Sequence, residues 1–516
     1  MRIRFLNRDF TEKIIQPALD FAIQRYSWDV KGGPAQAAVS AIGERGALFE
    51  LVNHMREPVE ILTDKGDCVW WGFLATLEIS WDAVQFGVDI GTMFNNVAVA
   101  YTNGTLRYTT QWSGDADSIA EYGYKEMLLS HSDCTEADAL SERDVYLAGA
   151  KHPIPTLRFG SGGGQASLTL KGWYSTLEWQ YYANESGFEG YDVSAQGGRE
   201  VGEDDRPSLA MSFQIGAAVG WTATTLWLHA WWQGSSQPSD NLTVSICSDS
   251  GGIPGTVMAT GQIAGADLTG SATWVEFALS SGVALSPSTT YWIVVARSGS
   301  VDPDAYYMVD TNLNRGYTRG ELFLWHTTNN EWVSEPWKGD LLFKLQGTLS
   351  TTSQIQALVA SAGQFFAGSI IENVSGVETV PYRSGDSTGM YELEKLLGIG
   401  TTNSRRLLPE ATRNFYLRIY EEPSKPAAVN GSYGLGPDGS LFFPGTRNPV
   451  RPELCPVGIW AALVDVIPPT VDLSLIADPN RFYIEAAEFD VNAGEYRIQR
   501  TKDQSNEYNI GGIEQG

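Results

Sequence analysis

Apolar and polar positions along this chain follow two different rhythms, and the switches between them divide it into three parts. Residues 1–195 mix strand and helix patterns. In "PVEILTDKGDCVWWGFLATLEISW" two apolar runs, 59–63 and 68–80, flank Asp64-Lys65-Gly66-Asp67, and Gly66 supplies the positive φ that such a turn favours. Just before them, "GALFELVNHM" places Leu48, Leu51, Val52 and Met55 on one helical face. "TEADALSERDVYLAGA" predicts a second helix, with Thr135 as N-cap, Asp138 at its third position, and Ala137, Leu140 and Leu147 turned inward. "LTLKGWYSTLEWQYY", residues 168–182, reads as a strand dense in aromatic rings.

From about residue 200 to 347 helical periodicity disappears. Short alternating runs recur between Gly, Pro, Ser and Asp, among them "SLAMSFQI", "TTLWLHAWW", "LTVSICSD", "TWVEFAL", "TTYWIVVARS", "AYYMVD" and "DLLFKLQG". About eight strands at this spacing predict a β-sandwich of jelly-roll type. Mixed patterning then returns. "TSQIQALVASAGQFF" predicts a helix capped by Thr352 or Ser353, with Ile355, Leu358, Val359, Ala362 and Phe366 as its buried stripe. "MYELEKLLGIG" predicts another, ended by Gly398, and strands dominate as far as "RFYIEAAEFDVNAGEYRIQR".

The expected fold is therefore mainly β with some α. Residues 1–198 and 349–500 form two pieces of one scaffold, 199–348 an inserted β-sandwich, and 501–516 a loose tail. Insertion is tolerated because loop-closure cost grows only logarithmically with loop length. A module whose termini lie close together leaves its host nearly undisturbed.

Composition narrows the function. The 516 residues are too many for one core, and 43% hydrophobic with 19% charged content is that of a folded chain. A net charge of −26 lacks the basic surface that wraps nucleic acid, so no specific nucleic-acid binding is expected. No apolar run reaches the ~18 residues of a transmembrane helix, and the start "MRIRFLNRDFTEK" has no secretory apolar segment. Cys68, Cys134, Cys247 and Cys455 form no CxxC pair and read as thiols of a reducing compartment.

Catalytic signatures fail one by one. "GDSTG", residues 385–389, matches the nucleophile-elbow spacing, but no histidine follows Ser387, so it reads as a helix start capped by Ser387 or Thr388. "GSGGG" at 160–164 lacks the Lys-Ser/Thr of a phosphate loop, and no HExxH or close His/Cys set is present for a catalytic metal. A glycosidase needs only two carboxylates, which 61 acidic residues hide completely. No catalytic residue and no required cofactor are assigned, and the chain reads as a non-enzyme.

The aromatic content of the sandwich says more. Nine of the 17 tryptophans lie in it. Sugars stack apolar C–H faces on flat rings and need polar groups at the rim. Trp227, Trp274 and Trp292 sit in apolar strand patterns and read as core, and Trp231 and Trp232 are weaker ligand contacts. Trp325, Trp332 and Trp337 lie in the loop-like "LFLWHTTNNEWVSEPWKGD", and Tyr306, Tyr307 and Tyr317 near another loop. These six are the candidate glycan-binding residues. Asp302, Asp304 and Asp310 could supply oxygens to a structural calcium, or serve as turn and surface residues.

Several stretches taken together resemble the tail hub family of tailed phages, the baseplate-hub or tail-associated proteins at the end of the tail tube. They are "EPVEILTDKGDCVWWGFLATLEIS", "DIGTMFNNVAVAYT", "DADSIAEYGYKEMLLS" and "LTLKGWYSTLEWQYY", then "IQALVASAGQFFAGSIIENVSGVE", "ELEKLLGIGTTNSRRLLPEATRNFYLRIYEEP" and "CPVGIWAALVDVIPP". "VSICSDSGGIPGTVMAT", "LSPSTTYWIVVA" and "GDLLFKLQG" resemble a jelly-roll module commonly called carbohydrate-binding. The resemblance implies a virion protein made in the host cytoplasm and placed at the tail tip. It implies a homotrimer of β-barrel-like domains in a pseudo-sixfold ring around a channel for the tape-measure protein and DNA. The implied neighbours are the distal tail ring protein, the tape-measure protein and fibre or tip proteins, with host-surface glycan as external partner. An acidic channel would not trap passing DNA. Two other readings stand beside it: a distal tail ring protein with a binding insertion, and a polysaccharide hydrolase with an appended binding module. The short stretch after the hub-like part argues against a built-in enzyme.

Overall fold

The computed structural model describes residues 1–8, 11, 19–104, 106–182, 187–193, 195, 197–203, 206–216, 220–314, 316–372, 374, 379–381, 387–403, 405–423, 434–435, 441–442, 451–461 and 482–502. The chain is mostly strand, with several antiparallel sheets and few helices. It divides into two compact units: Met1–Tyr182 with Ala362–Gly376 and Ser387–Gly516, and Ala183–Ser361 with Val377–Asp386.

The first unit is built on one sheet that runs Arg2–Phe5, Pro58–Leu62, Cys68–Asp89, Thr156–Lys171, Gly33–Gly43, Leu19–Asp29, Phe482–Asp490 and Trp460–Ala461, with Glu495–Lys502 also on Phe482–Asp490. Leu19–Asp29 and Phe482–Asp490 pair antiparallel, Tyr26 opposite Phe489 and Trp28 opposite Ala487. Stretches from the two ends of the sequence thus share one sheet. Among the described residues this sheet does not close on itself, so the barrel-like form implied by the resemblance is replaced by an open path ending at Arg2–Phe5 and Trp460–Ala461.

Local chemistry explains several elements. Gly66 takes φ 90° in the turn between Pro58–Leu62 and Cys68–Asp89, a value that only Gly adopts without strain. Thr135 and Asp138 form a capping box on the helix Glu136–Ala150. The side chain that this helix buries is Ala139, packed with Val99 and Tyr101, whereas Ala137 is exposed and Leu140 and Leu147 are half-buried. Contact is narrow because the helix lies against the small sheet around Asn96–Asn103, and a small residue brings it close.

Three expectations are corrected here. The aromatic run 168–182 is not one strand. Thr156–Lys171 ends, Gly172 follows, and Trp173–Glu178 winds into a 3-10 turn. A Cβ at Gly172 would stand 1.7 Å from the Pro34 carbonyl oxygen, so this close crossing requires glycine. The turn buries Trp173 against Phe73, Phe365 and Phe415, with ring centroids 5.1, 5.4 and 5.4 Å away. The helix Gly389–Ile399 ends at Gly400, in a positive-φ conformation, rather than at Gly398. The helix Thr351–Ala362 buries Ile355, Leu358, Val359 and Ala362 but stops before Phe366, and its first turn is capped by Ser350, whose Oγ accepts from Ser353 N at 3.1 Å.

The second unit is a two-sheet sandwich. One sheet runs Pro254–Ala264, Asn241–Asp249, Tyr291–Arg297, Ser208–Phe213, Leu322–His326, Glu331–Ser334. The other runs Phe188–Tyr191, Phe343–Ser350, Trp221–Gly234, Ala305–Asn312, Gly197–Val201, with Thr273–Leu285, Asp340–Leu341 and Thr379–Pro381 branching from it. Leu209, Met211, Val244 and Ile293 of the first face Leu226, Leu228, Val309 and Phe343 of the second in one core. Of the tail expected from 501, Thr501 and Lys502 belong to the strand Glu495–Lys502, and 503–516 lie outside the described residues. The four cysteines are free. No helix among the described residues is long and apolar enough to cross a membrane.

Candidate functional site

The segment "LFLWHTTNNEWVSEPWKGD" is a β-hairpin and not a loop. Leu322–His326 pairs with Glu331–Ser334, and Trp325 lies directly opposite Trp332. Thr327–Asn330 connect them, with Asn330 at φ 54°. Strand alternation sends Leu322 and Leu324 into the sandwich core, so Phe323 and Trp325 point to the sheet's other side. There the Trp325 and Trp332 rings meet edge-on, centroids 5.3 Å apart at 73°. Trp332 also packs, with Phe323 and Val294, on a second cluster formed by Ala210, Cys247 and Trp292.

This outer cluster is well supported. Trp292 is almost wholly covered, meets Phe323 edge-on at 4.9 Å, and donates from Nε1 to Asp249 Oδ1 at 2.8 Å. Burial pushes the Cys247 thiol up to about 11, so it stays neutral and acts as an apolar filler. Polar groups rim the pair. His326 Nε2 lies 3.2 Å from Glu335 Oε1, while Glu335 Oε2 is buried without a hydrogen-bond partner among the described residues. Trp337 sits in the turn Pro336–Lys338 and is 64% exposed. That turn is held by Arg199, whose Nε and Nη2 donate to the Lys338 carbonyl at 3.1 and 2.7 Å, and by Thr311 Oγ1 on the same oxygen. Half-exposed indoles beside carboxylate and imidazole groups offer stacking surface and hydrogen bonds together.

The three tyrosines do not join this surface. Tyr307 is fully buried and donates to the Asp240 carbonyl at 2.7 Å. Tyr317 is 6% exposed and donates to Glu189 Oε1 at 2.9 Å, an oxygen that Arg319 also holds. Burial, then the neighbouring carboxylate, raises both phenols well above their ordinary value. Tyr306 is 9% exposed. None of the three presents a ring face to a ligand. Tyr306 and Tyr307 lie on the strand Ala305–Asn312 rather than near a loop, and Tyr307 and Tyr317 belong to the sandwich core while Tyr306 is covered.

Trp227 and Trp274 are half-buried, because inward positions on Trp221–Gly234 fall to Leu226, Leu228 and Ala230. The Lys344 ammonium lies 4.3 Å from the Trp274 ring centroid. Trp231 and Trp232 are half-buried, and Trp232 packs on the core. The three aspartates do not make a calcium set: Asp310 pairs with His229 Nδ1 at 2.5 Å, Asp302 accepts from Asp304 N, and no group of three or more metal-type side chains exists among the described residues. Ser387 Oγ donates to Glu392, and the helix starts from Thr388. Phe323 is the residue that sequence reasoning missed beside this pair, whereas Trp292 is buried, as expected of a core position. The signal was present in the strict alternation of Leu322–His326 once both flanks are strands.

No family model and no curated protein matches this chain. Among solved structures, a clostridial cysteine protease, Cwp84 after propeptide cleavage, is 12% identical over 36% of this chain and 44% of its own, with a TM-score of 0.22. A family 43 arabinoxylan arabinofuranohydrolase from Bacillus subtilis is 10% identical over 53% of this chain and 63% of its own, with a TM-score of 0.15. The Cry4Aa toxin from Bacillus thuringiensis is 10% identical over 59% of this chain and 53% of its own, with a TM-score of 0.17. The chain spans less than two thirds of each, and likeness at this level carries no functional argument.

Proposed function

We propose that this chain is a structural protein of a phage tail tip, a hub that organises the distal end of the tail tube and carries a glycan-adhesive sandwich. The observation that carries this reading is the pairing of Leu19–Asp29 with Phe482–Asp490, together with the sandwich encoded between them. A scaffold whose two sequence ends share a sheet can bear a large module without relying on that module for its own core. Most of the hub-like stretches quoted above fall in the first unit, although the one that starts at Ile355 begins in the second, and the aromatic hairpin falls in the second unit. On this reading the chain is a homotrimer that contacts the distal tail ring, tape-measure and fibre or tip proteins. Weak sugar contacts would be multiplied by copy number.

Two measurements test it. The mass of the assembled particle by native mass spectrometry should be that of three chains, and six would favour the distal tail ring protein instead. Replacing Trp325, Trp332 and Trp337 singly with Ala should weaken adhesion to host cells while the protein stays folded. Unchanged adhesion in all three would remove the hairpin as the site. Release of new reducing ends from host-envelope polysaccharide would overturn the non-enzymatic reading.

A further inference from the structure

A cavity of about 300 Å3 opens in the first unit, far in sequence from the sandwich. Trp28, Asp29, Glu410, Arg418 and Tyr420 line it, together with the turn Leu454–Gly458. It lies where the N-terminal strands meet the C-terminal ones. Gly32 N donates to the Pro409 carbonyl at 2.8 Å, and Ala411 N to the Gly32 carbonyl at 3.0 Å.

Each wall is fixed from behind. Trp28 meets Trp71 edge-on at 5.0 Å and donates from Nε1 to the Val69 carbonyl at 2.9 Å. Arg418 lies over the Tyr420 ring at 4.9 Å, donating through Nε to Glu372 at 2.7 Å and through Nη1 to Glu410 at 2.8 Å. Its Nη2 and the Tyr420 hydroxyl have no hydrogen-bond partner among the described residues. Cys455, in the turn, takes a left-handed φ of 47° that costs a non-glycine residue energy and is found often at ligand sites. Behind Gly458, the fully buried Tyr483 hydroxyl also has no hydrogen-bond partner among the described residues; a Cβ on Gly458 would stand 3.6 Å from it.

We propose that this cavity binds one neutral pyranose unit. The chemistry is complementary on every side. The Trp28 ring offers apolar surface to C–H groups, Asp29 and Glu410 accept from hydroxyls, and Arg418 Nη2 and the Tyr420 hydroxyl donate. Arg418 is already matched by Glu372 and Glu410, so the lining keeps negative charge and disfavours phosphorylated or carboxylated sugars. The volume admits a monosaccharide and leaves no room for a long chain. The inference stands apart from the tail-tip reading, since it concerns another unit and needs no host.

The test is a saturation-transfer NMR titration of the intact protein with D-glucose, D-galactose and N-acetyl-D-glucosamine, with glucose 6-phosphate and choline as charged controls. At least one neutral sugar should bind saturably below about 100 mM. Tyr420→Phe and Glu410→Gln, which keep ring and shape, should each weaken it about fivefold with unchanged thermal melting. Trp325→Ala, in the sandwich, should leave it unchanged. The proposal is overturned if no neutral sugar saturates, if only choline or the phosphate binds, if neither cavity variant changes affinity, or if Trp325→Ala abolishes binding.

Discussion

Arg413, in the second sequence piece of the scaffold, donates from Nε to Glu60 Oε1 at 2.7 Å, across 353 residues of sequence. Glu60 lies on Pro58–Leu62, where every side chain is buried, and Arg4 holds the same carboxylate. Burial works against the Glu60 anion, but the hydrogen bonds from Arg413 and Arg4 prevail and hold its pKa below the usual value. Glu60→Gln would remove the carboxylate that both arginines hold. The arginines are partly exposed, so the expected loss is about 2 kcal/mol rather than the full cost of a deeply buried pair. A folded-state pKa below the unfolded one contributes stability above the unfolded value, near pH 4.5, and that contribution is lost as pH falls through the folded value. Denaturation midpoints of wild type and Glu60→Gln should therefore differ at pH 7 and converge as pH falls through the lowered folded-state pKa.

Gly172→Ala should destabilise the first unit by about 2 kcal/mol, because the Pro34 carbonyl must move to admit the methyl group. The Gly172 N–H donates to Ala35 O at 2.9 Å, so hydrogen exchange at residue 172 should accelerate more than at distant strands. An equal acceleration everywhere would point to global unfolding instead.

Tyr317→Phe removes one of the donors to Glu189, which burial pushes above its usual pKa despite Arg319. A loss of about 1–2 kcal/mol in sandwich stability is expected. Cell adhesion should not change, since the ring is covered. Reduced adhesion by a fully folded variant would return Tyr317 to the binding surface.

Ser350→Ala deletes the side-chain acceptor for Ser353 N at the start of Thr351–Ala362. Stability should fall by about 1 kcal/mol, whereas Thr352→Ala should cost less. Urea midpoints of the two variants compare them directly, and the reverse order would reassign the cap.

Features set by neighbouring residues were legible without coordinates. The Gly66 turn needs one residue with a free φ, and the Thr135–Asp138 box needs two side chains three positions apart. The sandwich announced itself through period-two alternation over many short runs. The cap at Ser350 was missed because the run "TLSTTSQ" offers several equivalent hydroxyl caps, and only the end of the preceding strand selects one.

Alternation in a strand assigns residues to two faces but does not say which face is inside, and a Trp- or Tyr-rich strand is apolar on both. Packing of one sheet on the other decided that Tyr307 and Tyr317 enter the core while Trp325 and Trp332 meet outside it. The cavity beside Tyr420 brings together residues from 28 to 458, which only the tertiary structure places side by side. Local preferences depend on a few adjacent dihedrals and are written into short stretches of residues, whereas the joining of remote strands is decided by burial summed over the whole molecule.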